Sequence, residues 1–299
     1  MNRATAASVI FTTYNQPDWL EKVLFGFAAQ DRADFEVLVA DDGSDDRTRQ
    51  RLLALQPLLP MPVRHLWQPD DGFRKCEALN MAIAAARSDY LVFTDGDCIP
   101  RADFVSTHLR ERAPGRFLSG GYHKLPMATS HAITADDIRD QRCFDARWLH
   151  ARGMPRTLRD RKLTAGPTAA RLLDAVSTAR ASWNGHNASG WARDVLSVNG
   201  FDQRMRYGGE DREFGERLEN AGIRGKRIRH RAIAVHLEHP RGYVTAEGIA
   251  FNRALRAETR RTGRAWTEFG IRPGPVMAPS GSAAPSALPL SASPAQWKS

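Results

Sequence analysis

The sequence predicts an α/β protein built on a single, mostly parallel sheet that is flanked by helices. Strand-like and helix-like segments alternate four times within the first 120 residues, which is typical of strands joined by crossover helices. The strand-like segments are nearly continuous apolar runs, as expected for strands covered on both faces. A polar cluster follows each of them, and ligands bind parallel sheets beyond the carboxyl ends of the strands. These observations predict one binding site at that edge of the sheet.

The elements of the first half follow from local patterns. Short β-branched or aromatic runs bounded by polar residues predict strands, and apolar residues at three- and four-residue spacing predict helices. Pro17 and Pro100 suit the first position of a helix, and Asp45 suits a helix cap. The predicted elements are a strand over Ser8–Asn15, a helix over Pro17–Gln30, a strand over Phe35–Ser44, a helix from Asp45 to Leu55, a strand over Val63–Gln68, a helix over Lys75–Ser88, a strand over Tyr90–Asp95 and a helix from Pro100.

The alternation weakens after about residue 120. Residues 122–182 are predicted to form a basic helical insertion, because ten Lys or Arg and four Asp lie between Arg139 and Arg180. The remaining predicted elements are a helix over Asp211–Asn220, a strand in Ile233–Pro240 and a basic amphipathic helix over Ala246–Arg261. Residues 273–299 contain six prolines and a single charged residue, which predicts a disordered tail.

Composition and charge limit the class of protein. The chain has 299 residues, 42% of them hydrophobic, and no apolar run long enough to span a membrane. The N-terminus does not have the pattern of a signal peptide, and the three cysteines have no metal-ligand spacing, so we expect a cytoplasmic protein. Most of the net charge of +9 lies in the basic insertion, which suits nucleic acid, a nucleotide or an anionic lipid surface. Aromatic residues do not interleave with these charges, which argues against nucleic acid.

Two carboxylates, Asp95 and Asp97, directly follow the fourth strand with only a glycine between them. A cap for the following helix explains one of them. It does not explain two acids at i and i+2, whose side chains point the same way in an extended chain and repel each other. A divalent ion such as Mg²⁺ or Mn²⁺ removes that repulsion and completes its ligand shell with phosphate oxygens and water. The sequence therefore predicts a helix cap or a metal site, and the polar edge of the sheet favours the metal.

Two further acid pairs lie at the ends of elements. Asp41 and Asp42 stand in a sequence that suits a β-turn, and one of these carboxylates is also a candidate acceptor for donors of a nucleobase or a ribose. Glu210 and Asp211 follow two glycines at the start of a helix, where the helix dipole favours acids. A carboxylate in that position can also act as a general base toward a hydroxyl.

His236 and His239 form an H-x-x-H pair at the end of the last predicted strand. No HExxH motif or cysteine set completes a zinc site, and a lone histidine is more often structural. The alternative is that one imidazole completes the metal site of Asp95 and Asp97, for which His239 is the better candidate.

Three segments stand in a specific order: "VIFTTYNQPDWLEKVLFGFAAQDRADFEVLVADDGSDDRT", "DDGFRKCEALNMAIAAARSDYLVFTDGDCIP" and "NGFDQRMRYGGEDREFGERLENAG". Together they resemble glycosyltransferase family 2 enzymes, which have the GT-A fold with its Rossmann-like sheet, and the third segment also resembles galactosyltransferase-type domains. The resemblance covers about residues 7–120 and 185–240. It implies a single domain over residues 1–272, made of a nucleotide-binding half (7–120), the basic insertion (122–182), an acceptor and catalytic half (183–240) and a C-terminal helix (within 241–272).

The resemblance also implies an activity and the residues that carry it. The implied reaction is metal-dependent, inverting transfer of a sugar from a nucleotide-sugar, with a UDP-sugar expected, to a glycan or lipid-linked acceptor in cell-surface polysaccharide synthesis. Carried over by position, the donor-binding residues are Thr12, Tyr14, Asp41, Asp42, Arg74, Lys75, Asn80 and Asp95. The residues implied for Mn²⁺ or Mg²⁺ are Asp97, Asp95, His239 and His236. Asp211 matches the catalytic base, with Glu210 reaching the acceptor or the sugar.

Two alternatives and one further partner remain. The same acids suit a metal-dependent phosphoryl-transfer enzyme or hydrolase, although the sequence has no GxxxxGK[ST] phosphate loop. A nucleic-acid-binding module built on the basic insertion is the second alternative, whereas no nucleic-acid partner is expected of a glycosyltransferase. The insertion and the C-terminal helix together suggest peripheral contact with an anionic membrane at its inner face.

Overall fold

The structure is a computed structural model that describes residues 5–240, 242 and 244–272. Within these residues the chain forms ten strands, twelve α-helices and three short 3-10 helices. The strands are β1 (Ala7–Thr13), β2 (Phe35–Asp41), β3 (Val63–Trp67), β4 (Tyr90–Asp95), β5 (Cys98–Pro100), β6 (Arg116–Ser119), β7 (Gly121–Lys124), β8 (Asn187–Trp191), β9 (Arg224–Arg227) and β10 (Ile233–His236). The α-helices are α1 (Pro17–Ala28), α2 (Asp46–Leu55), α3 (Lys75–Ala85), α4 (Phe104–Glu111), α5 (Met127–Ala132), α6 (Ala135–Arg139), α7 (Ala146–His150), α8 (Arg161–Thr164), α9 (Pro167–Val176), α10 (Ala192–Ser197), α11 (Glu210–Asn220) and α12 (Ala246–Thr262). The predicted disordered tail at 273–299 lies outside the described residues.

The described strands form two sheets. Seven of them make a large sheet in the order β3-β2-β1-β4-β8-β6-β9. Strands β3, β2, β1 and β4 are parallel, and β8 runs antiparallel to its two neighbours. The predicted α/β architecture with a mostly parallel sheet is therefore confirmed. Strands β5, β10 and β7 form a second, small sheet that the sequence did not predict.

The large sheet is buried on both faces, as its apolar strands predicted. Along β1, Val9 and Phe11 pack in one core cluster, together with Phe27 of α1. Ile10 lies between them and packs in the opposite cluster, together with Trp183. Full burial of such a side chain contributes about 1.5–3 kcal/mol. This packing holds the ends of β1 and β4, from which several candidate site residues project.

The segment after β4 differs from the prediction. Pro100 ends strand β5 and does not begin a helix, because helix α4 starts at Phe104 after its cap position, Asp103. Strand β5 is an edge strand that pairs with β10, and an edge strand tolerates proline. Neither Asp95 nor Asp97 lies at the start of a helix, so the helix-cap interpretation of this pair is wrong.

The basic insertion packs against the small sheet. Its described part consists of β7, the short helices α5 to α9 and two of the 3-10 helices. Leu125, Ile138 and Leu149 of the insertion form a third core cluster with Ile99 of β5 and Val235 of β10. The insertion therefore supports the strands that lead to the candidate histidines.

Helix α11 is fixed by a buried ion pair. Arg217 and Glu213 are both fully buried and lie 2.9 Å apart. The Arg217 guanidinium also donates to the carbonyls of Val198 and Gly200, and Thr259 of α12 donates to Glu213. Breaking a buried pair costs about 3–5 kcal/mol. The network therefore fixes the start of α11 relative to the loop before it and to α12, the predicted C-terminal helix.

Over the described part of the chain, every helix is too short or too polar to cross a membrane.

Candidate active site

A pocket of about 770 Å³ lies where the sequence predicted one, at the carboxyl ends of β1, β2 and β4. The start of α11 and the segment after β10 form its opposite wall. The sequence-predicted residues that line it are Thr12, Tyr14, Asp42, Lys75, Asp95, Asp97, Glu210, Asp211, His236 and His239. The structure thus brings together most of the predicted residues, from both halves of the chain.

Asp41 and Asn80, both predicted to contact the donor, lie outside the pocket. Asp41 is fully buried; its carboxylate accepts the backbone N–H of Ser44 and lies 2.7 Å from Nε2 of His65. The side-chain amide of Asn80 exchanges two hydrogen bonds with the backbone of Phe201. These side chains bind other parts of the protein and support the walls of the pocket.

Asp42 faces the pocket and is held by two donors. Its carboxylate accepts from Nε2 of Gln68 at 2.7 Å and from the backbone N–H of Arg74 at 2.9 Å. Burial raises the pKa of Asp42 to about 6, although these two hydrogen bonds oppose the shift. The Arg74 guanidinium, also predicted to contact the donor, pairs with Glu77 and does not line the pocket.

Lys75 connects two of the carboxylates. Its Nζ lies 2.9 Å from Oδ1 of Asp95 and 3.8 Å from Oε1 of Glu210. After Asp95 the chain turns at Gly96, where a Cβ would collide with the backbone of β1. Asp97 lies beyond this turn and contacts the histidines. Asp95 and Asp97 line the same pocket but have different partners, because the strand ends between them.

Asp97 lies between two imidazoles. Its Oδ2 is 2.8 Å from Nε2 of His239 and 3.4 Å from Nε2 of His236. Burial alone would raise the pKa of Asp97, but the hydrogen bond from His239 and the nearby His236 lower it to about 2. Within the described residues, Nδ1 of His236 is buried without a hydrogen-bond partner, and donor atoms of Asp97, Cys98 and His236 lie within 4.8 Å of one another. A carboxylate with imidazoles fits a divalent ion such as Mn²⁺.

Glu210 and Asp211 begin helix α11 on the opposite side of the pocket. The glycines before them, Gly208 and Gly209, have φ of 103° and 99°, a left-handed conformation that favours glycine. Oδ2 of Asp211 accepts the backbone N–H of Gly185 at 3.0 Å. Burial raises the pKa of Glu210, although the nearby Lys75 ammonium opposes the shift. Both acids also suit the helix dipole, so the capping and the chemical interpretations are compatible.

Two aromatic pairs in the pocket were not predicted. The rings of Tyr122 and His186 lie 4.3 Å apart, and burial lowers the pKa of His186 to about 4, so its imidazole is neutral near pH 7. Phe73 and Tyr207 meet edge to face at 6.0 Å from two different loops. Phe73 and Tyr207 directly adjoin predicted motifs, which is a signal that could have identified them. Tyr122 and His186 carry no such signal.

Two family descriptions match this chain. That of glycosyl transferase family 2 matches residues 8–114, and that of the N-terminal domain of galactosyltransferase matches residues 182–240. The first contains the Asp42, Lys75 and Asp97 side of the pocket, and the second contains the Glu210 side. The chain belongs to glycosyltransferase family 2. The resemblance carried by the three sequence segments is confirmed.

The curated relatives of this family 2 chain include named glycosyltransferases. Validoxylamine A glucosyltransferase from Streptomyces hygroscopicus subsp. jinggangensis (strain 5008) is 30% identical over 232 residues, which are 72% of this chain and 52% of the relative. Chondroitin synthase from Escherichia coli is 23% identical over 257 residues, which are 78% of this chain and 35% of the relative. The chain thus spans about half the length of the first relative and about a third of the second.

Solved structures of glycosyltransferases share the fold. Staphylococcus aureus TarS (residues 1–349) in complex with UDP-GlcNAc superimposes with a TM-score of 0.56 at 18% identity, over 85% of this chain and 66% of that one. The mannosyltransferase PcManGT from Pyrobaculum calidifontis, in complex with GDP-Man and Mn²⁺, gives a TM-score of 0.54 at 19% identity, over 79% of this chain and 58% of that one. The likeness shows the fold, and the predicted GT-A fold is confirmed.

Proposed function

We propose that this protein transfers a sugar from a nucleotide-sugar, with a UDP-sugar as the expected donor, to a hydroxyl of a glycan or lipid-linked acceptor. The transfer inverts the anomeric carbon and depends on Mn²⁺ or Mg²⁺. One observation carries the proposal: two separate carboxylate sets face each other across one pocket, Asp97 with His239 on one side and Glu210 with Asp211 on the other. Such a transfer needs one set to hold the cation that would balance the charge of the leaving group, and another to accept a proton.

The donor would lie along the ends of β1, β2 and β4. Asp42 would accept N–H groups of the base, and Thr12 and Tyr14 would line the nucleoside end, where the Tyr14 hydroxyl donates to Asp70 at 2.9 Å. Lys75 would exchange part of its contact with Asp95 for the diphosphate oxygens. An ammonium that already balances two carboxylates is suited to this exchange, because its charge remains compensated in either state.

Asp97 and His239 would hold the metal ion, with His236 as the neighbouring imidazole. When bound, the ion supplies positive charge that stabilises the departing nucleoside diphosphate. The low pKa of Asp97 keeps its carboxylate ionised at neutral pH, and the contact with His239 holds both side chains in one orientation. Asp95 lines the same pocket and would face the ribose or the metal.

Asp211 would act as the general base. The backbone N–H of Gly185 fixes one of its oxygens, which orients the carboxylate toward the pocket. Asp211 takes the proton of the acceptor hydroxyl while the hydroxyl attacks the anomeric carbon, and one displacement through an oxocarbenium-like state inverts that carbon. Glu210, close to Lys75, would orient the sugar or the acceptor.

The relatives and the cysteines support the proposed pathway and cellular location of the reaction. Relatives include synthases of chondroitin and of hyaluronan, which supports a role in cell-surface polysaccharide synthesis. Cys76, Cys98 and Cys143 are buried and unpaired, which is consistent with a reducing, cytoplasmic location.

A thermal-shift panel of nucleoside diphosphates, with and without Mn²⁺, tests the proposal. A ligand that binds only the folded state raises the unfolding temperature, and we expect UDP to do so strongly only when Mn²⁺ is present. Asp97→Asn should abolish the Mn²⁺-dependent part of the shift. A donor-turnover assay separates the rival activity: release of inorganic phosphate without sugar transfer would favour a phosphoryl-transfer enzyme or hydrolase.

A further inference from the structure

A second cavity, of about 930 Å³, lies at the edge of the large sheet beside β6 and β9 and beneath α9. It shares no lining residue with the active-site pocket. Seven of its thirteen lining residues are arginine or lysine, two are acidic, and the other four are alanine or glycine. The proposed transfer reaction does not account for this basic cavity.

Carboxylates neutralise only part of its positive charge. Glu219 pairs with Arg180, and Asp174 pairs with Arg231 at 2.8 Å. Glu111, outside the lining, pairs with Lys226 and Arg231. The Arg227 guanidinium donates to two backbone carbonyls. Three more guanidinium groups form no ion pair with any part of the chain that the structure describes: Arg116, Arg171 and Arg224. Guanidinium groups that share a cavity without counter-charges repel one another, and a bound anion removes that repulsion.

The unpaired arginines come from separate elements. Arg116 and Arg224 are register partners on the neighbouring strands β6 and β9, whereas Arg171 belongs to α9 and lines the same cavity. An edge strand commonly carries basic residues that prevent pairing with another strand, which explains Arg224 alone. It does not explain why a helix adds an unpaired guanidinium to the same concave surface.

The lining favours a phosphate group over a sugar or a base. No aromatic ring lines the cavity among the described residues, so it offers no stacking face. Small side chains leave room for a compact anion, which guanidinium groups bind through paired hydrogen bonds. On α9, Leu172 and Val176 directly follow the lining residues Arg171 and Ala175, and they are 63% and 64% exposed. Basic residues beside exposed aliphatic ones suit the interface of an anionic bilayer.

We propose that this cavity binds the phosphate headgroup of an anionic phospholipid while Leu172 and Val176 enter the membrane interface. This edge of the sheet then rests on the membrane. The assignment narrows the membrane contact that the sequence suggested to α9 of the basic insertion and the adjoining edge of the large sheet.

Sedimentation of the whole protein with vesicles tests this site. We expect binding at physiological salt to phosphatidylcholine vesicles that contain phosphatidylglycerol, and none to phosphatidylcholine alone. The double variant Arg171→Glu/Arg224→Glu should lower the partition coefficient about 30-fold or more, since each basic residue near an anionic surface adds about fivefold. Both side chains are exposed, so the fold should be retained, which circular dichroism checks.

The matched control is Arg147→Glu/Arg156→Glu, which makes the same change of charge in the basic insertion at exposed arginines outside the cavity. It should reduce binding far less. The proposal is overturned if the wild type does not bind the anionic vesicles or if both double variants lose binding equally. A third outcome also overturns it: vesicles do not bind, and inorganic phosphate raises the unfolding temperature of the wild type but not of Arg171→Glu/Arg224→Glu. The ligand of the cavity is then a soluble phosphate. Transfer to a soluble acceptor should be unchanged in every variant, so failure here leaves the proposed reaction untouched.

Discussion

Asp97 and His239 lie 2.8 Å apart although they come from opposite halves of the chain. Asp97 follows β4 of the large sheet, and His239 follows β10 of the small sheet. The backbone N–H of Leu237 donates to the carbonyl of Asp97 at 2.8 Å, so main chain and side chains join the two segments. This bond continues the pairing of β5, which begins directly after Asp97, with β10, so the candidate metal site depends on the strand pairing of the small sheet.

Asp97→Asn removes the negative ligand from this site and should lower the affinity for Mn²⁺ by more than about 100-fold. Changes to groups that only orient metal ligands already lower metal affinity by about 10–100-fold. Asp97 is proposed to bind the ion directly, so its loss should have a larger effect. Titration calorimetry with Mn²⁺ measures the effect, and circular dichroism checks the fold. Asp46→Asn, an exposed acid of α2, is the control. Equal Mn²⁺ affinity in the Asp97 and Asp46 variants would remove Asp97 from the ligand set.

Asp211→Asn should reduce the transfer rate by about 10²–10⁴-fold, the usual contribution of a positioned general base. The amide keeps an oxygen that can accept the N–H of Gly185, so the pocket should keep its shape and the dissociation constant of the donor should hardly change. Single-turnover transfer and donor titration measure the two quantities separately. Arg212→Gln, at the next and exposed position, should leave both unchanged. If Asp211→Asn turns over like the wild type, another group is the base.

Much of the first half of the fold was predictable because each of its elements has a strong local pattern. Strand β1 was predicted at Ser8–Asn15 and is found at Ala7–Thr13. Strand β8, Asn187–Trp191, was not predicted because its sequence, "NASGW", has neither an apolar run nor clear alternation. It is a strand because it pairs antiparallel with both β4 and β6. Local residue propensity does not predict such pairing with distant strands.

The candidate site, like the fold, was only partly predictable from the sequence. Acids at the ends of elements indicated where the pocket lies, but not which way each side chain points. Asp41 and Asp42 are neighbours at the end of β2, where successive side chains point to opposite faces, and Asp42 is the one that lines the pocket. Sequence spacing also suggested that Asp95 and Asp97 act together, whereas Lys75 holds the former and the histidines contact the latter. Only long-range contacts decide these orientations, above all the pairing of β5 with β10, which brings the histidines to Asp97.

The raised pKa of Asp42 predicts that donor binding depends on pH. Burial raises this pKa to about 6, so the carboxylate is ionised above about pH 6 and protonated below it. The ionised form is the one proposed to accept N–H groups of the base. The affinity for UDP should therefore fall as the pH drops below about 6, approaching a tenfold loss per pH unit.

Asp42→Asn separates this effect from titration of the histidines, which the variant retains. It should bind UDP more weakly than the wild type near pH 8 and should lose the part of the pH dependence that Asp42 causes. Calorimetric titration between about pH 5 and about pH 8, at saturating Mn²⁺, measures both proteins. The same pH profile in the two proteins would show that Asp42 does not contact the base.

Asn252 of α12 holds the loop that precedes Glu210 and Asp211, the proposed catalytic acids. Its Oδ1 accepts the backbone N–H of Arg206 at 3.1 Å, and its Nδ2 donates to the carbonyls of Arg206 and Gly208 at 2.6 and 3.1 Å. The side chain is fully buried. Asn252 lies beyond both family matches, which end at residues 114 and 240. The described part of α12 therefore supplies a support for Glu210 and Asp211 that neither family description contains.

Asn252→Ala should lower kcat more than it weakens donor binding. It leaves buried backbone groups without partners, which costs about 1–3 kcal/mol of stability, and a displacement of about 1 Å at a catalytic group can cost about 10²-fold in rate. The hydrogen bonds of the Asn252 side chain go to Arg206 and Gly208 and not to the proposed donor and metal residues at the ends of β1, β2 and β4, so KM for the donor should stay close to that of the wild type. Steady-state kinetics well below the unfolding temperature separates the two constants. Arg253→Ala changes the next residue, which is exposed, and is the control. If Asn252→Ala loses stability but keeps its kcat, Asn252 supports the fold without positioning the acids.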